Sequence, residues 1–95
     1  MSYILRPRAT ADLREISEYI ADRNPDAGRT WLRSMVEVFE LLGDYPALGH
    51  LRDDIRVGLR TYSRENYLII FRRSGDDAVI VRIIHAARDW PKQLP

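Results

Sequence analysis

Hydrophobic residues recur every three or four positions through the first half of the chain, which predicts two amphipathic helices. The apolar face of the first helix consists of Ala9, Leu13, Ile16 and Ile20. That of the second consists of Ala27, Trp31, Leu32, Met35, Val38, Phe39 and Leu42. Asn24 and Pro25 separate the two helices, because Asn caps a helix N-terminus and Pro fits its first position. The second helix is expected to end near Gly43, and the short connection between the helices predicts an antiparallel hairpin.

The remaining segments have the patterns of β-strands. The predicted strands are residues 3–6, 56–62, 67–71 and 78–84. In the second of these, Val57, Leu59 and Thr61 alternate with polar or small residues and should share one side. Turn-forming residues at 63–66 and 74–77 join the last three strands into an antiparallel meander. The predicted fold is α+β: an N-terminal strand, then an antiparallel helical hairpin packed on one face of a small, mostly antiparallel sheet, in the order β-α-α-β-β-β.

Length and composition limit the kinds of protein this can be. The chain has 95 residues, so we expect a single domain over residues 1–95. It has no cysteine and only two histidines, His50 and His85, so neither disulfides nor a structural metal site nor any other cofactor is expected. The first residues contain no long apolar run, so we predict no signal peptide, no membrane anchor and a cytoplasmic location.

The charge is unevenly distributed along the chain. The net charge is +1, with 15 basic and 14 acidic residues, and Lys92 is the single lysine among the basic ones. Residues 9–44 are acidic on balance, whereas residues 45–95 are basic. A basic half can serve an acidic protein partner or a nucleic acid, and charge alone does not decide between them. The preference for arginine favours specific pairing with carboxylate or phosphate, although a GC-rich genome explains it equally well.

Five segments, in order along nearly the whole chain, resemble toxins of the RelE/ParE superfamily, and the ParE branch most closely. They are ADLREISEYI (11–20), YPALG (45–49), Arg60 with Tyr62, YLIIFR (67–72) and RIIHAARD (82–89). The resemblance implies the toxic component of a type II toxin–antitoxin system. The partner would be a cognate antitoxin, ParD-like and of the ribbon-helix-helix type, whose C-terminal segment wraps the toxin in a hetero-oligomer.

The resemblance implies two alternative targets. ParE-type toxins inhibit DNA gyrase without catalysis, and no direct DNA binding by the toxin alone is expected. RelE-type relatives share the fold but cleave mRNA on the ribosome, so the fold does not decide the activity. A degenerate toxin that still binds its antitoxin is the third interpretation.

The ribonuclease alternative would depend on Arg60, Arg82 and His85, which match positions used by nuclease relatives. RNA cleavage needs a general acid and a general base, and within this set only the His85 imidazole could take either part. No tyrosine follows Tyr67 to complete the arrangement known in such relatives. We therefore predict no catalytic residue, with His85 ending a strand and hydrogen-bonding locally. The arginines could instead form ion pairs that order the sheet, with Asp53, Asp54, Glu65 or Asp89 as partners.

Two sets of residues are predicted to bind proteins. The apolar stripe of the second helix, flanked by arginines, suggests a groove for the antitoxin. The residues predicted to line it are Trp31, Met35, Arg56, Arg60, Arg72 and Arg82. The residues predicted to contact the target are Arg88, Asp89 and Trp90, near the C-terminus.

Overall fold

A computed structural model describes residues 2–94 and shows two helices packed on a mixed five-stranded sheet. The elements are β1 (Tyr3–Leu5), α1 (Pro7–Arg23), α2 (Pro25–Asp44), β2 (His50–Leu51), β3 (Leu59–Arg64), β4 (Tyr67–Ser74), β5 (Asp77–His85) and a C-terminal 3-10 turn (Trp90–Gln93). The α+β architecture predicted from the sequence is confirmed. β2 was not predicted, because two residues are too few to show a period.

The sheet has the order β1-β5-β4-β3-β2. β3, β4 and β5 form the predicted antiparallel meander, and β1 pairs in parallel with β5 from Tyr3↔Ala78 to Leu5↔Ile80. Ser2 is held beside β5 by Asp77, whose carboxylate accepts hydrogen bonds from the Ser2 N–H and hydroxyl, each at 3.1 Å. These bonds lower the pKa of Asp77.

The helical hairpin forms where the sequence predicts it. The backbone N–H of Asn24 closes α1 on the Ile20 carbonyl at 2.9 Å, and the Asn24 side chain accepts the Ala27 N–H at 3.2 Å to cap α2. Just after this corner the two helices touch closely. A Cβ added to Gly28 would lie 2.8 Å from the Cβ of Ala21, so a side chain there would push the helices apart.

The start of β3 differs from the prediction. The strand begins at Leu59, and Val57 is 89% exposed in the preceding turn. The Leu59 N–H bonds back to the Arg56 carbonyl at 3.0 Å, and Gly58 has φ = 80°, a value that favours glycine. Val57 and Leu59 therefore do not belong to one strand as their alternation predicted, because the chain turns between them.

The sheet has two differently covered faces. The helix-covered face contributes Ile69, Phe71, Ile80 and Ile83 to the main core, where they pack against Met35, Val38, Phe39 and Leu42 of α2. The opposite face, which we call the helix-free face, carries a smaller cluster of Leu59, Ile70 and Ile84. This cluster is partly covered by Ile55 of the β2–β3 loop and by Trp90 and Leu94 of the C-terminal segment.

Trp31 lies in the main core, 5% exposed, with its ring 5.2 Å from that of Tyr67. Within residues 2–94 its indole Nε1 is a buried donor without an acceptor. An unsatisfied buried donor carries a penalty of about 1–3 kcal/mol, which offsets the packing gained from the larger ring. We therefore expect Trp31→Phe to change the free energy of unfolding by no more than about 1 kcal/mol. Urea denaturation followed by circular dichroism measures this, and a loss above about 3 kcal/mol would contradict the expectation.

Candidate functional site

Surface depressions lie on both sides of β5 beyond the point where β1 stops. β1 pairs with β5 only as far as Ile80, so the rest of β5 has an edge without a strand beside it. One depression, of about 460 Å³, lies between α1 and the C-terminal end of β5. The other, of about 500 Å³, lies on the helix-free face. Each is lined by residues that the sequence singled out.

A buried ion pair covers the open edge of β5. The carboxylate of Asp12, on α1, accepts the Arg82 Nε–H at 2.7 Å and the Nη2–H at 3.1 Å. It also accepts the backbone N–H of Ile83 at 3.0 Å, a group that a neighbouring strand would otherwise satisfy. Asp12 is 4% and Arg82 7% exposed. The ion pair predicted for Arg82 therefore exists, but with Asp12 and not with any of the four carboxylates considered from the sequence.

Arg82 also connects the C-terminal segment to the sheet. In the β4–β5 pairing, Ile70 lies opposite Arg82 and Phe71 lies opposite Ile80, so Val81 is the extra residue of a β-bulge. Because of this bulge, Arg82 lies on the helix-free face together with Ile70. The Nη1–H of Arg82 donates to the carbonyl oxygen of Gln93. One guanidinium thus joins α1, β5 and the C-terminal turn, and it has few donors left for a ligand.

His85 ends β5 on the helix-covered face and is exposed. Its Nδ1 accepts the backbone N–H of Ala87 at 3.2 Å, and its ring meets the Tyr67 ring edge-on at 5.4 Å. Burial, with smaller effects of Tyr19 and Glu65, raises the pKa of Tyr67. The local hydrogen bond predicted for His85 is present.

Arg60 is separated from the other two residues of the nuclease alternative. It lies on β3, and its Nη1–H donates to the carbonyl of Ala47 at 2.9 Å, which anchors the loop after α2. Arg82 and His85 line the depression beside α1, whereas Arg60 does not. Since β4 lies between β3 and β5, the structure does not bring the three residues into one site.

Four arginines surround the depression on the helix-free face, which we call the arginine cradle. Arg6 and Arg8 come from the β1–α1 junction, Arg56 from the β2–β3 loop and Arg72 from β4. The apolar side chains of the cradle are Pro7, Val57, Leu59 and Val81. Arg72 lies between Leu59 and Val79 in the strand register, so its aliphatic stem can cover both.

The residues predicted to bind the antitoxin are dispersed. Trp31 and Met35 belong to the main core, and Met35 is fully buried. Arg82 is bound to Asp12 and Arg60 to Ala47. Those left on an open surface are Arg56 and Arg72, both in the cradle. Arg6 and Arg8 were not predicted, although the first eight residues, which have two arginines and no acid, contained the signal.

The residues predicted to contact the target have mixed surroundings. Arg88 is exposed and lines the depression beside α1. Asp89 lies 3.5 Å from the ammonium of Lys92. Trp90 is half-buried on the helix-free face, and the guanidinium of Arg52 stands 5.2 Å from the centre of its ring. Arg88 and Asp89 are therefore both exposed, whereas Trp90 is half-buried.

Two further properties concern metals and membranes. Among the described residues, no three histidine, aspartate or glutamate side chains are grouped as a metal ion would require. Neither helix in that part of the chain combines the length and the hydrophobicity of a membrane span.

Comparison with known proteins identifies the family. Residues 3–90 match the family described as the ParE toxin of the type II toxin–antitoxin system parDE. The chain belongs to the ParE toxin family. It is 31% identical to Toxin ParE3 of Caulobacter vibrioides over 96 residues, which cover 99% of this chain and 96% of that protein. It is also similar to a solved structure of the chromosomal ParDE system from P. aeruginosa, with a TM-score of 0.74 and 26% identity over 90% of this chain and 95% of that one.

Membership of the ParE family agrees with the fold, since the solved relative superposes over most of both chains. It makes the chain a ParE-type toxin of a type II toxin–antitoxin system, and the predicted relationship to the ParE branch is confirmed.

Proposed function

We propose that this ParE-family toxin inhibits DNA gyrase by binding it, without catalysis, and that a cognate ParD-like antitoxin neutralises it in a hetero-oligomer. The observation that carries the proposal is the separation of Arg60 from Arg82 and His85, which line one depression. Each of the three is engaged in holding the fold, through Ala47, Asp12 and Ala87 respectively.

A ribonuclease would need these side chains for proton transfer and for stabilising the phosphate, not for holding the fold. Cleavage at a 2′-hydroxyl requires a base, an acid and a cation near the phosphate, all within reach of one substrate. Arg82 is 7% exposed and already bonded to the Asp12 carboxylate and the Gln93 carbonyl, and Arg60 lies two strands away. A binding mechanism makes no such demand on geometry. It needs an exposed surface, and we assign target contact to the rim around Arg88, Asp89 and Trp90.

The antitoxin half of the proposal is supported by the solved relative, which is described as a ParDE toxin–antitoxin system. A ParD-like partner of the ribbon-helix-helix type would hold DNA in such a complex, while the toxin itself, with a net charge of only +1, would not. Because gyrase works on chromosomal DNA, the proposal places the toxin in the cytoplasm.

Induction of the toxin is expected to stop DNA synthesis before translation. The measurement is incorporation of labelled thymidine and methionine after induction, in cells that carry the wild-type chain or His85→Ala. We expect the two chains to behave alike, because His85 has a local structural bond and no part in binding gyrase. Purified toxin should also inhibit supercoiling by purified gyrase.

Co-expression of the antitoxin should restore both growth and supercoiling. Early loss of translation that His85→Ala relieves would instead establish the nuclease alternative. If neither process slows although circular dichroism shows a folded toxin, the chain is a degenerate toxin and the gyrase proposal is wrong.

A further inference from the structure

We propose that the arginine cradle receives an acidic segment of the antitoxin, with an apolar side chain of that segment seated between the arginines. The inference rests on the proposed function, because it assumes that an antitoxin binds this chain. It places the antitoxin on the helix-free face of the sheet, not over the helical hairpin.

The charge of the cradle comes from three separate parts of the fold. Arg6 and Arg8 follow β1, Arg72 lies on β4 and Arg56 stands in the β2–β3 loop. The guanidinium of Arg8 forms salt bridges with the carboxylates of Asp12 at 3.6 Å and Glu15 at 3.7 Å. Arg56 already takes part in another interaction. Arg6 and Arg72 are both exposed, and within residues 2–94 no carboxylate lies in salt-bridge range of either.

The described residues that line the cradle include no acid. Arg6 and Arg72, which have no carboxylate in salt-bridge range within residues 2–94, create a positive potential that favours an anionic ligand. Their planar forks match carboxylates in two-point hydrogen bonds. The cradle therefore favours a ligand with at least two acidic groups.

The floor of the cradle favours a peptide over a nucleic acid. Val57 is 89% exposed beside Leu59 and Val81, so the arginines surround an apolar surface. A peptide can place an aliphatic side chain there while its carboxylates reach the rim. A phosphate backbone has no such group, and its affinity would come from charge alone.

The helical hairpin offers less to a partner. Met35 and Val38 of α2 are fully buried against the sheet, and Leu32 is the large hydrophobic residue of α2 that remains exposed, at 38%. The apolar stripe of α2 that suggested a groove is thus buried in the toxin's own core. A depression of about 500 Å³ holds only a few side chains, so the cradle is one anchor of a larger interface.

The test compares two charge-reversal variants that change the net charge equally. Arg6→Glu/Arg72→Glu alters the cradle, and Arg14→Glu/Arg33→Glu alters exposed arginines of α1 and α2. The probe is the protein encoded by the short reading frame beside the toxin gene, and the dissociation constant is measured by calorimetry at two salt concentrations. We expect the cradle variant to bind at least about tenfold more weakly, with a reduced salt dependence, and the helix variant to stay within about threefold of the wild type.

Equal binding by the cradle variant and the wild type would refute the cradle as the docking site, and the proposed function would stand. Failure of the wild-type toxin to bind that protein would instead refute its neutralisation by this antitoxin. Circular dichroism and thermal melts verify folding, and Arg6→Gln/Arg72→Gln replaces the first variant if reversal unfolds the chain. Binding of duplex DNA or RNA by the toxin alone, lost in the cradle variant, would assign the cradle to nucleic acid and overturn the proposal.

Discussion

Asp12→Ala is expected to lower the free energy of unfolding by about 3–5 kcal/mol, because it leaves the guanidinium of Arg82 buried without a counter-charge. The same substitution removes the acceptor of the Ile83 N–H at the open edge of β5. A domain of this size has a free energy of unfolding of about 5–15 kcal/mol, so the loss is a large share of the total. Urea denaturation followed by far-ultraviolet circular dichroism measures it.

Two controls distinguish a buried pair from an ordinary surface contact. Glu15→Ala removes a neighbouring carboxylate of α1 that is exposed and lies 3.7 Å from Arg8, so it should cost less than about 1 kcal/mol. Asp12→Leu combined with Arg82→Met removes both charges and should cost less than Asp12→Ala alone. If Asp12→Ala were no more harmful than Glu15→Ala, the pair would not be buried as described.

The helices were predictable because their signals are local. Periodic apolar positions define each face, and Asn24 with Pro25 marks the boundary between the helices through short-range capping chemistry. The central strand was predictable for a similar reason, since residues 67–71 are continuously apolar or aromatic. In each case the signal lies within one short stretch of the sequence, although the central strand is stabilised by its pairing with β3 and β5.

The Asp12–Arg82 pair could not be predicted, because the two residues are 70 positions apart and meet only through the topology. The pair depends on β1 ending opposite Ile80, which opens an edge that α1 then covers. From the sequence, Arg82 was simply a charge interrupting an apolar strand. The four carboxylates predicted as its possible partners all lie in the second half of the chain, whereas the true partner lies on α1.

The candidate binding surface shows the same limit. Periodicity correctly identified an apolar stripe on α2 that includes Trp31 and Met35. It does not show whether the stripe is covered by the protein's own sheet or by a partner. Here the toxin's own sheet covers it. Arg56 and Arg72 were singled out individually, yet their meeting with Arg6 and Arg8 follows from the parallel pairing of β1 with β5, a long-range contact that no local pattern encodes.

Leu42→Ala is expected to lower the free energy of unfolding by about 2–5 kcal/mol, because Leu42 is fully buried near the end of α2. The site has little freedom to collapse around the cavity. The adjacent Gly43 already fits so closely against the chain at Ser2 that an added Cβ would lie 2.9 Å from the Ser2 carbonyl carbon. Where neighbouring groups cannot move into the cavity, the loss of stability lies toward the upper end of that range. Thermal and urea denaturation of the isolated toxin measure the loss.

The matched control is Leu32→Ala, the same change on the same helix at a leucine that is 38% exposed. It removes less buried surface and leaves no closed cavity, so it should cost less than about 1.5 kcal/mol. An antitoxin that binds the folded toxin should raise the melting temperature of Leu42→Ala above that of the free variant, since binding adds to the stability of the native state. Equal losses for the two leucines would mean that α2 does not pack on the sheet through the face assigned to it.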